Sequence, residues 1–550
     1  MLRDLVAFGQ VVARVARESG VVGSLRARGF ATLGRRLVQR SLPSGPTAVL
    51  SLYAAHDPGR EALIDDEGTL RYGELDVEVD ALARGLSALG VRPGDRVAIM
   101  MPNARAYLLV QWATLRAHAG IVQIGYRLKA AEVAHVLGNA RPRLLVCHED
   151  HEAVVQKAIE LAGSDAQVLV VPAKQSATRG ALPTLRAVGR DTRVEAQPRD
   201  TSASVMVYTS GTTGKPKGAA RAIDRSLGPA VFDFIQKVGI RHDERHLVVC
   251  PLYHSAAPAF VALTYGLGGT VILREHFDPE DVLATIERHR VTSAFLVPTM
   301  LGRLAGLPIE ARRRHDLSSL RWLMNGAAPL PTETARRIGE WLGPILFNFY
   351  GATETGLVTL AGPGDHLARP GTIGRALLGN EIRLLDDQGR AVPRGEVGEI
   401  WVRSAMLVDG YHEDPGATAR SLKDGFFSVG DVGRVDEAGF YYLADRKADM
   451  VITGGVNVYP QEIEQHLHHH PAVLECAVIG VPDDDWGESL RAFVVRRPEA
   501  EADEDELRRW CKDGLADFKC PKRFFFVSAL PRNPTGKVLK RELREAARLG

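Results

Sequence analysis

The sequence predicts an α/β protein, in which a large N-terminal domain of helix-covered sheets is followed by a small α+β C-terminal domain. From about residue 48, short apolar segments alternate with helical ones, which is the pattern of parallel strands covered on both faces. Residues 444–460 are charged, then apolar, then glycine-rich, as expected of a short linker that enters a second compact domain. The length of 550 residues also exceeds what one hydrophobic core supports.

The composition is typical of a soluble globular enzyme, with 45% hydrophobic and 25% charged residues. The 69 Lys and Arg residues and 67 Asp and Glu residues leave a net charge of +2, so no overall field favours a nucleic-acid partner. The five cysteines are scattered and contain no CxxC, which argues against a disulfide framework or a cysteine zinc site. We therefore expect a reducing, cytoplasmic location.

Residues 1–47 form a basic extension, and residues 1–42 carry eight arginines, two acidic residues and a net charge of +6. Leu5, Phe8 and Val12 share one face at helical spacing. Two interpretations stay open with equal weight: a helix in peripheral contact with the anionic inner face of a membrane, or a helix packed on the protein body. An Arg-rich targeting peptide is a weaker third interpretation.

Residues 208–218 combine hydroxyl side chains with three glycines and two lysines. Glycines let backbone N–H groups close around an anion, and hydroxyls and lysines add hydrogen bonds and charge. Residues 205–208 are apolar and predict a strand that delivers this loop. Thr209 and Pro216 stand where a Walker loop needs Gly and Ser or Thr, so we expect a different polyphosphate-binding loop.

Two further segments have a coarse secondary-structure prediction. Residues 173–200 are rich in Ala, Thr, Arg and Pro and are expected to form a loop. Residues 248–255 are expected to be a strand that runs into a loop, with an aromatic ring and an imidazole at its end.

Residues 208–218 resemble the phosphate-binding signature of the adenylate-forming enzymes, which include acyl-CoA synthetases, luciferases and peptide-synthetase adenylation domains. Further segments match family patterns in the family's order: PLYH at 251–254, NFYGATE at 348–354, GD at 430–431 and PRNPTGK at 531–537. The resemblance covers roughly residues 48–545 and is most like a bacterial-type medium- or long-chain fatty acyl-CoA synthetase.

The resemblance implies ATP, Mg²⁺ and coenzyme A as cofactor and co-substrates. It implies Lys537, Glu354 and Thr209 as catalytic residues, with Glu354 also holding the metal. It implies a CoA channel beside Gly454 and Gly455. The implied acyl pocket contains Tyr253, His254 and Ala256, and the implied ATP and AMP contacts are Thr209, Ser210, Gly211, Thr212, Thr213, Gly214, Lys215, Lys217, Gly326, Ala327, Ala328, Asn348, Tyr350, Gly351, Thr353, Asp431 and Arg446.

The resemblance also implies a division into parts that move. The extension at 1–47 precedes a large adenylation domain at 48–445, a hinge at 446–449 and a small mobile domain at 450–550. Two positions depart from the family: Val429 replaces a threonine beside Asp431, and Ala448 replaces the charged hinge residue.

The implied function is ATP-dependent activation of a carboxylic acid to acyl-AMP with release of pyrophosphate, followed by thioester formation with CoA. A medium- to long-chain fatty acid is favoured, because the N-terminus is basic and amphipathic and small residues follow His254. The alternatives are an aromatic or polycyclic acid, transfer to a carrier protein, or a non-enzymatic fatty-acid-binding or uptake protein. A homodimer is a further open alternative.

The substitution Lys537→Ala tests the implied catalytic lysine. It should slow pyrophosphate release from acid plus ATP by about 100-fold or more, because a charge that stabilises the transferring phosphoryl group is lost. Thioester formation from synthetic acyl adenylate should be largely spared. Equal loss of both half-reactions, each measured separately, would contradict the assignment.

Overall fold

The structure is a computed structural model. It describes residues 47–173, 180–195, 203–209, 216–222, 228–447, 449–453, 456–483, 486–497, 500–532 and 538–549. The basic extension at residues 1–46 therefore lies outside the described residues. Among the described helices, none combines the length and the apolar character that a membrane span needs.

Six described strands form the first sheet. Five are parallel, because helices between them return the chain to the same edge of the sheet. The sixth, at the sheet edge, is antiparallel to its neighbour. In spatial order the strands are Gln167–Val171, Leu144–His148, Arg96–Met100, Gly120–Gln123, Ser204–Thr209 and Lys217–Ala222.

The second sheet of the large domain contains fifteen described strands in two sections. The first section is parallel except for one antiparallel edge strand. These strands are, in spatial order, Leu346–Ala352, Trp322–Asn325, Ser293–Leu296, Arg245–Val248, Thr270–Leu273, Glu61–Asp65 and Gly68–Arg71.

The second section, at residues 356–446, is antiparallel, so the prediction of parallel strands is wrong there. Tight turns replace helical connections: Gly389 and Gly439 have φ of 78° and 82° and donate to Asp386 and Asp436. The strands are Gly356–Ala361, Thr372–Ala376, Tyr441–Arg446, Asp431–Val435, Gly398–Arg403, Phe426–Phe427 and Leu422–Lys423, with Glu381–Leu385 paired to Gly398–Arg403.

The small domain has its own five-stranded sheet. Two helices, Pro460–His468 and Glu504–Gly514, bury apolar residues in one core, and Lys540–Leu549 packs with a second core. The predicted α+β architecture of this domain is confirmed. Its strands are Val456–Val458, Val451–Thr453, Gly487–Arg496, Val473–Asp483 and Arg523–Phe526.

Helices cover the sheets, and the largest core contains residues from both sheets of the large domain. The helix Arg105–Arg116 is buried from Ala106 onward, so even Arg116 is enclosed and pairs with Asp76 at 2.6 Å. The large-domain helices are Ala48–His56, Tyr72–Ala88, Arg105–Arg116, Ala130–Ala140, Glu149–His151 (3₁₀), Glu152–Ala162, Ala181–Val188, Pro229–Val238, Ala256–Gly266, Pro279–His289, Pro298–Gly306, Ile309–Arg313, Thr332–Leu342, Asp365–Ala368 and Pro415–Ser421; the small domain adds the 3₁₀ helix Asp517–Lys519.

Two local predictions were wrong. The segment 173–200, expected as a loop, contains the helix Ala181–Val188, because Leu182 and Leu185 are buried against Tyr72–Ala88. The strand before His254 was expected to begin at residue 248. The structure instead places this strand at Arg245–Val248, so that it ends at residue 248. The sequence did not indicate this strand because it begins with polar residues. In the folded protein Arg245 is compatible with the strand because it pairs with Glu61 at 2.7 Å.

Gly85 permits the close approach of the helix Ala181–Val188, because a Cβ at this position would lie 2.2 Å from the carbonyl oxygen of Leu185. We predict that Gly85→Ala lowers the free energy of unfolding by about 1–3 kcal/mol through overpacking. Gly138, also in a helix, would place its Cβ in open space, so Gly138→Ala should stabilise by about 0.5–1 kcal/mol. Thermal melting of both variants checks this pair, and a Gly85→Ala midpoint equal to that of the unmodified chain would contradict it.

Candidate active site

A cavity of about 4030 Å³ is lined by both sheets of the large domain and by the small domain. A pocket for one small molecule measures roughly 300–1,000 Å³, so this cavity has room for more than one substrate. Many of the residues predicted from the sequence line it: Thr209, Lys217, Tyr253, His254, Ala256, Ala327, Ala328, Asn348, Tyr350, Gly351, Thr353, Glu354, Asp431 and Arg446.

The remaining predicted site residues fall into two groups. Gly326 does not line the cavity; a Cβ there would lie 2.6 Å from the Phe349 ring, so glycine lets that ring pack closely. The others lie outside the described residues: Ser210, Gly211, Thr212, Thr213, Gly214, Lys215, Gly454, Gly455, Lys537 and the hinge residue Ala448.

Glu354 is held by two hydroxyl groups. Thr209 Oγ1 and Tyr411 Oη donate to its Oε1 at 3.0 and 3.1 Å. The side chain is 5% exposed, so these bonds stabilise a carboxylate that burial would otherwise disfavour. Lys217 Nζ lies 4.8 Å from the centre of the Tyr411 ring. Both bonds to Glu354 end on Oε1, so among the described residues Oε2 remains available to a cation.

The chemistry of this donor fits Mg²⁺. Magnesium takes one or two protein carboxylates together with substrate phosphates. Among the described residues there is no group of three or more His, Cys, Asp and Glu side chains that could hold a metal ion. A metal at Glu354 would therefore depend on substrate oxygens.

Tyr350, Asp431 and Arg446 form a second polar cluster. Tyr350 Oη donates to Asp431 Oδ2 at 2.9 Å, and Arg446 Nε lies 3.3 Å from Asp431 Oδ1. Burial, and next the Asp431 charge, raise the pKa of Tyr350 well above its usual value, so it remains a hydrogen-bond donor. Val429 packs against Phe427 and neighbouring apolar residues, so the position without the family hydroxyl has become part of a core.

A backbone turn follows the strand Trp322–Asn325. Ala327 has φ of 71°, a conformation that is uncommon for a residue with a Cβ. The side-chain amides of Asn325 and Asn348 are 2.7 Å apart and fix the two adjacent strand ends. This turn and Tyr350 therefore line one side of the cavity on a rigid scaffold.

The loop that carries Tyr253 and His254 is fixed by buried amides. Asn103 Nδ2 donates to the Cys250 carbonyl at 3.1 Å, and Asn103 Oδ1 accepts from the Leu252 N–H at 2.8 Å. Gln123 Nε2 donates to the Leu252 carbonyl at 3.2 Å. Ser255 Oγ then lies 3.2 Å from Thr353 Oγ1, so this loop meets the segment that carries Glu354.

Beyond this loop the cavity becomes apolar and rich in aromatic rings. Phe260 and Phe295 stack with their centroids 5.2 Å apart, and Phe349 lies 5.9 Å from Phe295. The ring of Tyr126 contacts Tyr253 edge-on at 5.5 Å. The apolar lining includes Trp112, Leu115, Val205, Val207, Val231, Phe232, Phe234, Ile235, Ala256, Ala259, Phe260, Leu263, Phe295, Val297, Met300 and Phe349.

Arg221, which the sequence analysis did not select, lies in the same region. It is on the strand Lys217–Ala222, lines the cavity, and donates from Nη2 to the Thr353 carbonyl at 2.6 Å. Burial lowers the pKa of its guanidinium to about 10, which leaves it charged at neutral pH. The sequence could have indicated this residue through its position directly after the phosphate loop. An isolated arginine on a strand is usually a surface residue, however, so this position alone does not predict a role in the site.

Charged groups at the domain boundary join the small domain to the end of the large domain and to the predicted hinge. Asp445 Oδ2 accepts from the Gln461 N–H at 3.0 Å, at the start of the helix Pro460–His468. Arg544 pairs with Asp449 at 2.8 Å. An acidic group at a helix N-terminus is stabilising, so Asp445 favours this arrangement of the two domains.

Two family models match the chain. The model of the AMP-binding enzymes matches residues 50–412, and the model of the AMP-binding enzyme C-terminal domain matches residues 462–537. The chain therefore belongs to the family of AMP-binding enzymes, the adenylate-forming superfamily. It is an AMP-forming acid–thiol ligase.

The similar proteins include several acid ligases. A feruloyl-CoA synthase of Amycolatopsis sp is 40% identical over 477 residues, which cover 86% of this chain and 93% of that protein. The long-chain-fatty-acid–CoA ligase FadD13 of Mycobacterium tuberculosis is 33% identical over 90% of this chain and 96% of its own. The solved structure of o-succinylbenzoate CoA synthetase from Bacillus subtilis, in complex with its acyl-adenylate intermediate, has a TM-score of 0.78 at 30% identity, covering 90% of this chain and 97% of that chain.

The hydroxyl groups that hold Glu354 can be tested by Tyr411→Phe. The loss of a hydrogen bond to a buried charge costs about 1.5–3 kcal/mol, so kcat/KM for pyrophosphate release should fall about 10- to 100-fold. The Mg²⁺ concentration for half-maximal rate should rise, because the carboxylate is less well oriented.

Tyr442→Phe is the matched control, because Tyr442 also donates to a carboxylate, Asp436 at 3.0 Å, on the antiparallel section of the same sheet. A similar loss in both variants would contradict a specific role for Tyr411. The measurement is the initial rate of pyrophosphate release as a function of Mg²⁺ concentration.

Proposed function

We propose that this enzyme converts an aromatic carboxylic acid to its CoA thioester through an acyl adenylate. The observation that carries the proposal is the aromatic wall around the apolar part of the cavity, which begins directly beside the Ser255 and Thr353 hydroxyls. An aryl acid that fills this pocket would place its carboxylate near those hydroxyls and its ring among Phe260, Phe295 and Phe349.

In the first half-reaction, a carboxylate oxygen attacks the α-phosphorus of ATP. The bond from that phosphorus to the bridging oxygen of the β-phosphate breaks, and pyrophosphate leaves with the electron pair. Two anions must meet, so the main obstacle is electrostatic. In our proposal Lys217, the phosphate loop and Lys537 supply positive charge and donors, while Thr353 contacts the α-phosphate.

Other residues position the nucleotide. We assign Asp431 to the ribose hydroxyls, since a carboxylate offers about four lone-pair directions and Tyr350 and Arg446 occupy two of them. The Tyr350 ring and the turn at 326–328 are assigned to the adenine. Glu354 would hold Mg²⁺, and when bound the metal would neutralise charge on the phosphate oxygens.

In the second half-reaction, the CoA sulfur attacks the acyl carbon, the bond to the AMP oxygen breaks, and the thiol proton passes to solvent. We propose that the small domain turns about residues 446–449 between the two steps and brings Gly454 and Gly455 beside the pantetheine channel. The Asp445 contact described above would be exchanged during this rotation, because it joins residues on opposite sides of the turning point.

A fatty acid remains the second candidate for the substrate. The sequence favoured it, and the apolar cavity reaches as far as Leu115 on the buried helix Arg105–Arg116, a depth that suits an acyl chain. FadD13 acts on long-chain fatty acids by its name, at 33% identity. The aromatic lining and the higher similarity to feruloyl-CoA synthase support the aromatic acid instead.

A panel of acids distinguishes the two candidates. Ferulate and decanoate contain the same number of carbon atoms, so their comparison isolates shape. We expect kcat/KM for ferulate to exceed that for decanoate by at least about tenfold, because flat rings pack against the pocket rings. Acetate, longer fatty acids and sterol acids complete the panel, which is scored for AMP and for thioester.

Faster turnover of decanoate or a longer fatty acid would establish the fatty acid as the substrate class. Pyrophosphate release without thioester, in the presence of CoA, would indicate transfer to a carrier protein. Reactions without ATP serve as controls.

A further inference from the structure

Arg221 places a buried guanidinium between the acyl pocket and the turn that carries Thr353 and Glu354. It pairs across the sheet with Val205, and both side chains line the cavity. One nitrogen, Nη2, donates to the Thr353 carbonyl at 2.6 Å. An arginine has five N–H donors, and in the part of the chain that the structure describes this bond uses one of them, which leaves most of its capacity for another acceptor.

The guanidinium of Arg221 is incompletely hydrogen-bonded by the described part of the chain. Its buried Nε has no hydrogen-bond acceptor there. The charge of Arg221 is stabilised by the Glu354 carboxylate. The Oε1 atom of Glu354, however, already accepts hydrogen bonds from Thr209 and Tyr411. A buried N–H donor without an acceptor is costly, and a guanidinium with unused donors favours an anionic ligand.

The reaction supplies such an anion at this place. The carboxylate of an acid that occupies the apolar pocket must reach the region beside Thr353, where it meets the α-phosphate. We propose that Arg221 binds the substrate carboxylate before adenylation, an assignment that rests on the proposed acid activation. A guanidinium matches the planar geometry of a carboxylate, so Arg221 both attracts the acid and orients the attacking oxygen.

The competing explanation is structural, because the bond to the Thr353 carbonyl also fixes the turn before Glu354. A structural role would affect ATP and both half-reactions together. If Arg221 binds the substrate carboxylate, its loss should change the kinetic constants for the acid alone. The acyl adenylate no longer contains a carboxylate, so the reaction that starts from it should not change. The two explanations therefore differ in which kinetic constant changes.

Arg221→Met keeps an unbranched side chain about as long as the aliphatic part of arginine and removes the charged guanidinium. We expect the KM for the acid in pyrophosphate release to rise about 10- to 100-fold, the loss expected for a charge-assisted hydrogen bond. The KM for ATP and the rate of thioester formation from supplied acyl adenylate should change less than about threefold. Arg221→Lys, which keeps a charge without the planar fork, should give an intermediate KM for the acid.

Arg337→Met is a matched control. Arg337 also lines the cavity and donates from Nη2 to a backbone carbonyl, that of Ala305, at 2.6 Å. It lies on the helix Thr332–Leu342, which is separate from the strand that carries Arg221. The control should leave the KM for the acid unchanged.

A binding experiment removes the dependence on turnover. Calorimetry compares ferulate with coniferyl alcohol, which has the same aryl group but no charge. The unmodified chain should bind ferulate more tightly than the alcohol, and Arg221→Met should lose this preference while its thermal midpoint stays within a few degrees.

An unchanged acid KM in Arg221→Met, or parallel losses with acid, ATP and acyl adenylate, would overturn the assignment. Equal preference for ferulate over the alcohol in both proteins would overturn it as well. A chain that releases no pyrophosphate with any acid would contradict the proposed function, and the binding comparison would still decide the role of Arg221.

Discussion

The buried carboxylate of Glu354 is the group on which the arrangement of the site depends. A charge that is 5% exposed requires hydrogen-bond donors, and it receives them from Thr209 in the first sheet and Tyr411 in the segment beside the antiparallel section. Arg221 adds a positive charge from the edge strand of the first sheet. The two sheets must therefore be docked correctly before the site exists, so the need to stabilise one carboxylate links the packing of the large domain to its chemistry.

Much of the fold could be predicted from the sequence, because its local signals agree with its tertiary structure. Apolar segments such as those at Arg96–Met100 and Leu144–His148 are parallel strands, and the small domain has the predicted helices and strands. The exceptions have physical causes. The helix Ala181–Val188 is stabilised by packing on Gly85, which lies far away in sequence. The strand Arg245–Val248 carries a charge and a histidine that are partnered only in the folded protein, where His246 bonds Ser293 at 3.0 Å.

The site was partly predictable for a similar reason. Short motifs identify Tyr350 and Glu354, which are close together in the chain, and Asp431, which comes from a separate motif; all three line the same cavity. Residues that orient these groups come from elsewhere: Asn103 holds the loop before His254, and Tyr411 holds Glu354. An asparagine after a strand or a tyrosine in a loop has no distinctive spacing. Their partners are more than 50 positions away, so only the tertiary structure reveals them.

Asp445 and Arg446 are neighbours in the chain but contact different parts of the molecule. Asp445 accepts from the first turn of the helix Pro460–His468, whereas Arg446 pairs with Asp431 in the cleft. Because these two residues are adjacent, a change in the orientation of the small domain can alter the part of the cavity that we assign to the nucleotide, and the reverse. By thermodynamic reciprocity, a nucleotide that draws on Asp431 changes the stability of the domain arrangement, and each arrangement changes the affinity for nucleotide by the same factor.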